Sequence, residues 1–195
     1  MIGVTGKIAC GKSSVLARLQ SKGTETIDAD HVYHELIRPG LPLWHALRDE
    51  FGSEIVGADG EINRRALGQI VFTDPKAMRK LDEITHPAIG AEIERRISET
   101  MVDVIAVDAI KLVESGMDRT CDVVWRVVCE PSTQIARLIQ RNGLSEEEAE
   151  RRIAAQPLSP RTTRPETVID NSGDLVTLAQ AVDGAWNALI PSRLT

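Results

Sequence analysis

Residues 6–13 carry the strongest chemical signal in the chain, because they match the spacing G-x-x-x-x-G-K-[ST]. Glycines at both ends of such a loop let the backbone turn tightly and approach a phosphate group closely. The loop amides and the start of the following helix then face the anion, while the lysine reaches the β- and γ-phosphates. We therefore expect a nucleoside triphosphate to be bound by Gly6, Ile8, Ala9, Cys10, Gly11, Lys12, Ser13 and Ser14.

Two aspartates, Asp28 and Asp30, follow the second β-prone run, residues 24–27. In a parallel sheet, ligands collect beyond the carboxyl ends of the strands, where the phosphate loop also lies. Side chains two residues apart in an extended segment point the same way, so this pair could hold Mg²⁺ through water or accept a proton from an attacking hydroxyl. The alternative is a turn in which an aspartate caps the next helix.

A third acidic residue, Asp108, ends the wholly apolar run 104–107, which is typical of a buried central strand. An acid at this position can bind the Mg²⁺ that accompanies a triphosphate, although a helix cap is the alternative. Together with the Ser13 hydroxyl, Asp28 and Asp108 are the metal ligands that the sequence predicts.

Arginines form a local cationic segment in the later part of the chain. Arg137 and Arg141 lie one turn apart on a predicted helix, and Arg151, Arg152, Arg161 and Arg164 follow. Guanidinium groups bind phosphate in a bidentate manner, so a helix–turn–helix carrying Arg137 and Arg141 could close over the nucleotide as a lid. For Arg151 and Arg152 we favour a solvated face that pairs with nearby glutamates.

Strands and helices alternate along the sequence. Strands are predicted at 2–5, 24–27, 104–107, 123–129 and 167–170, and helices at 12–21, 29–37, 43–51, 63–72, 75–97, 132–140, 145–155 and 175–190. We expect His86-Pro87 to interrupt the helix at 75–97, and His86 by itself is more typical of a structural residue. The pattern predicts an α/β three-layer sandwich with a parallel sheet, of the P-loop nucleoside triphosphate hydrolase type.

A single domain accounts for the length of 195 residues. We expect its core at 1–29, 101–136 and 165–195, a helical acceptor-binding insertion at 30–100, and the lid at 137–164. The insertion is inferred because a simple crossover between parallel strands needs only about a dozen residues.

Composition narrows the classes of partner. The net charge of −6 makes nucleic acid an unexpected partner. No long apolar run or leader-like start is visible, so we expect neither a membrane nor a secreted protein. Three cysteines, Cys10, Cys121 and Cys129, show no metal-ligand spacing and fit the reducing cytoplasm. The sequence leaves the assembly open between a monomer and a small homo-oligomer.

These features together favour a small-molecule kinase. No N-K-x-D guanine motif is present, which disfavours a regulatory GTPase. A kinase for nucleoside, nucleotide or shikimate-like acceptors is one alternative, and a non-catalytic nucleotide-binding module is another. The aspartate pair and the lid arginines argue against the latter.

Nearly the whole chain resembles the dephospho-coenzyme A kinase family. The likeness lies in the order and spacing of short segments: residues 2–6 with the phosphate loop, 27–30, Pro39-Gly40, Phe51-Gly52, Asp59-Gly60, Asn63-Arg64 to Leu67, His86-Pro87, Arg137 with Arg141, Gln156 with Arg161, and 168–171. Such a set is far more specific than the phosphate loop alone.

The resemblance implies transfer of the ATP γ-phosphate to the ribose 3′-hydroxyl of dephospho-CoA. It implies Asp30 as the base, with Asp28 assisting metal or substrate binding. It also implies that Lys12 and Arg137 act in catalysis, that Arg64, His86 and Arg161 bind the acceptor, and that Asn171 lies at the adenine of ATP.

Some positions depart from the family pattern. Lys7 replaces a usual glycine, Asn63 replaces an aspartate, and residues 110–114 lack a proline and a leucine while introducing Lys111. Lys7 adds a cation near the phosphates, and the changes at 110–114 concern contacts with the acceptor more than the reaction itself.

Overall fold

The computed structural model describes residues 1–156 and 160–189. Its strands are β1 (Ile2–Gly6), β2 (Glu25–Asp28), β3 (Ile105–Asp108), β4 (Val123–Val128) and β5 (Glu166–Asp170). They form a five-stranded sheet in the order β2-β3-β1-β4-β5. The pairs β1–β3, β1–β4 and β4–β5 are parallel, so the predicted α/β class with a parallel sheet is confirmed.

In the described part of the chain, the helices are α1 (Lys12–Gln20), α2 (Ala29–Leu36), α3 (Pro42–Phe51), α4 (Arg64–Thr73), α5 (Pro75–Glu99), α6 (Pro131–Asn142), α7 (Glu146–Ala155) and α8 (Leu175–Leu189). Their boundaries agree with the sequence prediction apart from small shifts at the ends. Ile190, residues 191–195 of the predicted core and residues 157–159 of the predicted lid lie outside the described residues.

Local sequence signals explain where most helices start. The side chains of Asn63 and Asp74 cap α4 and α5, and Pro75 occupies the first turn of α5. Ser145 and Glu148 form a reciprocal capping box at the start of α7. Gly143 ends α6 with a left-handed φ of 64°.

The helix α5 corrects one prediction, because it runs through His86-Pro87 without a break. Proline removes one backbone donor and usually disrupts a helix. Here Pro87 lies on the exposed side, where water can bind the carbonyl that loses its partner. Ile84 and Ala88 on either side pack against an apolar cluster, and this packing outweighs the local preference.

The chain divides into two compact units, residues 1–27 with 102–195, and residues 28–101. The first unit contains a buried cluster to which β1, β3, β4, β5, α1 and α8 contribute, and in which Trp125 is fully buried. The second has its own cluster, in which Leu47, Ile55 and Leu67 are buried.

Gly3, on the central strand β1, is tightly enclosed. A β-carbon built at this position would lie 2.6 Å from Leu112 Cδ2 and 2.7 Å from Cys121 Sγ. Both contacts are shorter than normal carbon contacts, so a larger residue would displace its neighbours.

No helix among the described residues has the length and apolar character needed to cross a membrane.

Candidate active site

The phosphate loop, residues 7–11, connects β1 to α1. Gly11 has a φ of +88°, and a β-carbon there would lie 2.0 Å from Asn171 Nδ2. A β-carbon on Gly6 would lie 2.4 Å from the carbonyl oxygen of Val127 on β4. Ala9 also adopts a positive φ of 59°. This curled backbone has the form of an anion-binding nest.

The start of α1 is open to a ligand. Gly11 occupies the N-cap position, and no side chain within the described residues caps the helix there. The first amides of a helix lack intrahelical acceptors and lie at the positive end of its dipole. An anion in the loop would therefore be bound by these amides.

The loop borders a phosphate-loop cavity of about 500 Å³. From the loop and α1, it is lined by Ala9, Gly11, Lys12, Ser13 and Ser14. Elsewhere in the same unit, Asp108, Arg137, Arg141 and Asn171 line it. The structure thus brings together nine residues that the sequence predicts for nucleotide or metal binding.

Lys12 and Asp108 form an ion pair inside this cavity. Their Nζ and Oδ1 atoms lie 3.8 Å apart, and the two side chains are only 14% and 19% exposed. Strand pairing places Asp108 opposite Val4 on β1, next to the loop. The carboxylate of Asp108 and the hydroxyl of Ser13 are hard oxygen donors, so they fit a Mg²⁺ ion that completes its shell with phosphate oxygens and water.

Arg137 of α6 contacts the loop, and Arg141 of the same helix lines the phosphate-loop cavity. Arg137 donates from Nη1 to the carbonyl oxygen of Cys10, at 3.4 Å, and from Nη2 to Asn171 Oδ1, at 3.5 Å. Arg141, one turn later, donates to Asn142 Oδ1 at 3.2 Å. Two guanidinium groups therefore lie where a triphosphate would extend from the loop.

Asn171, predicted near the adenine, also supports the loop. Its buried side chain donates from Nδ2 to the carbonyl oxygen of Cys10 at 2.8 Å, and its backbone amide donates to Val128 at 2.8 Å. The residue follows β5 directly, whereas Cys10 lies at the other end of the sequence. No local sequence pattern indicates this positioning role.

Two glutamines hold the peptide groups of Ile8. Gln134 Nε2 donates to the carbonyl oxygen of Ile8 at 2.5 Å, and the Ile8 amide donates to Gln156 Oε1 at 2.7 Å. The sequence includes Gln156 only as part of the family likeness and gives no signal for Gln134.

A second cavity, of about 530 Å³, is also lined by Gly6 and by loop residues, among them Lys7 and Cys10. Arg161, predicted to bind the acceptor, lines this second cavity and not the phosphate-loop cavity. Lys7, which replaces a glycine usual in the family, borders both cavities.

The cysteines are free thiols. Cys129 donates from Sγ to Cys10 Sγ at 3.3 Å, and burial together with this hydrogen bond raises the pKa of Cys129 to about 12. Burial likewise raises the pKa of Cys121 to about 11. The Cys121 and Cys129 thiols therefore stay protonated at neutral pH.

The structure corrects the prediction for Asp28 and Asp30. They are not two residues of one extended segment, because Asp30 lies in the first turn of α2. Asp28 caps that helix, and its Oδ1 accepts from the amides of Asp30 and His31, at 2.8 and 3.1 Å. Among the described residues, the Asp30 carboxylate has no hydrogen bond or ion pair.

Two further residues of the unit 28–101, Arg64 and His86, are predicted to bind the acceptor substrate, and both have partners close by. Arg64 Nη1 lies 2.7 Å from His34 Nε2. His86 Nε2 lies 3.3 Å from Asp82 Oδ1, one turn earlier in α5. His86 is therefore held in a continuous helix rather than at a helix break.

A family model described as CoaE, dephospho-CoA kinase, matches residues 1–177. The chain is similar to a dephospho-CoA kinase of Symbiobacterium thermophilum, with 46% identity over 96% of this chain and 80% of the relative. The corresponding enzyme of Geobacter sulfurreducens is 40% identical over 98% of this chain and 99% of its own length.

Solved structures agree with the fold. A crystal structure of a Thermus thermophilus protein superposes with a TM-score of 0.80 at 29% identity and covers 96% of each chain. The dephospho-CoA kinase of Campylobacter jejuni, at 24% identity, superposes with a TM-score of 0.67 over 98% of each chain. The family model matches residues 1–177, and the Symbiobacterium thermophilum relative is 46% identical. The chain therefore belongs to the dephospho-CoA kinase family.

Proposed function

We propose that the phosphate-loop cavity binds ATP with Mg²⁺, and that the chain transfers the γ-phosphoryl group to the ribose 3′-hydroxyl of dephospho-CoA. The observation that carries the proposal is the convergence of Lys12, Ser13, Asp108 and Arg137 on one cavity beside the uncapped start of α1. Family membership supplies the identity of the acceptor.

On the donor side, the chain supplies positive charge in fixed positions. The loop amides and Lys12 bind the β- and γ-phosphates, and Arg137 stabilises charge that develops on the transferring group. Asp108 keeps the Lys12 ammonium in place. A Mg²⁺ ion held by Ser13 and Asp108 would neutralise part of the charge on the phosphates.

On the acceptor side, Asp30 is the proposed base. Asp28 contributes through the backbone, because its cap on α2 fixes the amide of Asp30. The Asp30 carboxylate has no competing partner among the described residues, so it can accept the proton of a hydroxyl. We assign acceptor binding to Arg64, His86 and Arg161, and metal binding to Ser13 and Asp108.

The assignment is tested by incubating the protein with Mg-ATP and a panel of acceptors, and by measuring ADP release and the product mass. We expect turnover with dephospho-CoA and a product heavier by one phosphoryl group. Turnover of a nucleoside, nucleotide or shikimate instead, with none of dephospho-CoA, would overturn the assignment.

Substitution of Asp30→Asn tests the base. We expect a loss of about 10²–10⁴ in kcat, because an amide cannot accept the proton, while ATP binding measured by calorimetry stays unchanged. Asp49→Asn, on an exposed part of α3, is the matched control and should keep full activity. Near-normal turnover of Asp30→Asn would exclude this residue as the base.

The proposal places the protein in the cytoplasm as a monomer or small homo-oligomer, without a nucleic-acid partner. Its acidic charge of −6 supports the last point. Size-exclusion chromatography with light scattering measures the assembly, and a nucleic-acid binding assay at low salt should show no complex.

A further inference from the structure

The peptide groups on both sides of Ile8 are held by side chains from outside the loop. Gln134 donates to the Ile8 carbonyl oxygen, and Gln156 accepts from the Ile8 amide. Ile8 lies between β1 and α1, so neither element supplies its backbone with a regular hydrogen-bonding partner. The conformation of the loop at this point therefore depends on the two glutamines.

The two glutamines lie at opposite ends of one helical pair. Gln134 is buried on α6, three residues before Arg137, and Gln156 follows the last residue of α7. The segment between the two glutamines consists of α6 and α7 with their connection. It makes up most of the lid predicted from the sequence. Both ends of this pair are thus bound to the backbone of a single loop residue.

The roles of the two amides are opposite. At Gln134 the side chain acts as a donor, and at Gln156 it acts as an acceptor. Glutamine can do either, whereas glutamate can only accept when it is ionised. Conservative replacement by glutamate should therefore be tolerated at one position and not at the other.

We infer that Gln134 and Gln156 are positioning residues that couple the α6–α7 pair to the phosphate loop. A loop that orders around phosphate fixes Ile8, and Ile8 in turn fixes both ends of the pair. Gln134 then keeps Arg137, on the same helix, at the loop. Gln156 gives the chain that leads to Arg161 a fixed starting point. The catalytic part of this inference rests on the proposed function, but the coupling itself does not.

The first test compares kcat and the KM for ATP among single variants. Gln156→Leu removes the acceptor at nearly constant volume, and we expect kcat to fall by about 10- to 10²-fold, because a small displacement of a charged group is costly in catalysis. The KM for ATP should change less, since the loop amides and Lys12 remain. Gln156→Glu should keep most of the activity.

At Gln134 we expect a different effect of the glutamate variant on kcat. Both Gln134→Leu and Gln134→Glu should lower kcat, because neither replacement donates to the Ile8 carbonyl. Gln180→Leu, on an exposed part of α8, is the matched control and should behave as the unmodified protein. Equal damage from glutamate and leucine at position 156, or rescue by glutamate at position 134, would overturn the inference.

A second readout needs no acceptor. Arg151 and Arg152 are exposed on α7 and offer cleavage sites for trypsin. In the unmodified protein, Mg-ATP should slow cleavage at these sites, because an ordered loop holds the helical pair; in Gln156→Leu, this protection should be lost while ATP still binds. Protection equal to that of the unmodified protein would refute the coupling.

The two readouts separate the inference from the proposed function. If dephospho-CoA is not turned over by the unmodified protein, the function fails, but the trypsin experiment still decides on the coupling. Melting temperatures of each variant, measured without ligand, exclude a general loss of folding. If Gln156→Leu does not fold, Gln156→Met replaces it, with the same expectation.

Discussion

At the scale of single residues, the site depends on how charges are held near the loop. Lys12 is paired with Asp108, and Arg137 contacts the carbonyl of Cys10 and the amide of Asn171. The contacts of Arg137 are long, at 3.4 and 3.5 Å. A guanidinium held so loosely remains available to a phosphate oxygen, which is the stronger partner.

Arg137→Ala should therefore reduce kcat by about 10³-fold, as expected for an arginine that stabilises the transferring phosphoryl group. Arg137→Lys should restore little, because an ammonium cannot bind in a bidentate manner. Steady-state ADP release measures both variants. Arg151→Ala, on the exposed face of α7, serves as control, and a comparable loss there would contradict a specific role for Arg137.

At the scale of elements, the helix that follows the loop is tied to the last helix described. Asp183 on α8 accepts from Arg18 and pairs with Lys22, both near the end of α1, at 2.5 and 2.8 Å. Hydrogen bonds from these two cations lower the pKa of Asp183 to about 2. Such a depressed pKa in the folded state adds stability above the unfolded pKa of about 4.

That stability should be lost as the pH falls from about 4 towards 2, where Asp183 becomes protonated in the folded protein as well. We expect Asp183→Asn to melt at a lower temperature than the unmodified protein at pH 7, and the difference to shrink in acid. Thermal unfolding monitored by circular dichroism across this range measures it. A difference in melting temperature that stays constant across this pH range for Asp183→Asn would contradict the role of its charge.

The continuous helix α5 leads to another expectation. Pro87 lies inside it and supplies no backbone donor, so Pro87→Ala should add a hydrogen bond and raise the free energy of unfolding by about 1–3 kcal/mol. Pro75→Ala is the matched control: at the first turn the missing donor has no intrahelical partner, and no gain is expected. Urea denaturation compares the two, and equal effects would rule out the explanation.

At the scale of the whole molecule, binding and folding are linked. A ligand that binds only the folded chain at 100 times its dissociation constant stabilises it by about 2.7 kcal/mol. Mg-ATP should therefore raise the melting temperature, and Lys12→Ala should reduce that rise because it removes the cation for the β- and γ-phosphates. An undiminished rise in Lys12→Ala, measured at the same nucleotide concentration, would show that the cavity is not where ATP binds.

Local signals made much of this molecule predictable. The glycine loop, the caps at Asn63 and Asp74, and the capping box at Ser145 are encoded within a few residues, and the structure contains each of them. Short apolar and β-prone runs, together with period-3.6 patterns, were sufficient to predict the parallel sheet and its helices.

What escaped prediction depends on partners far away in the sequence. Asn171 holds Cys10, and Gln134 and Gln156 hold Ile8, over separations of more than 120 residues. The helix break expected at Pro87 did not occur because tertiary packing outweighed a local rule. The prediction for Asp28 and Asp30 was wrong because the extended segment ends at Asp28, which caps α2, whereas Asp30 already lies in the first turn of that helix.

The space around Gly3 has a consequence for how the sequence can drift over generations. Because Leu112 and Cys121 occupy the volume of a missing methyl group, an alanine at position 3 is compatible only with smaller neighbours at position 112 or 121. Substitutions at these three positions should therefore covary among related sequences. Gly3→Ala alone should fold poorly, and Leu112→Val should partly restore it, so a fitness screen of paired libraries would reveal the dependence.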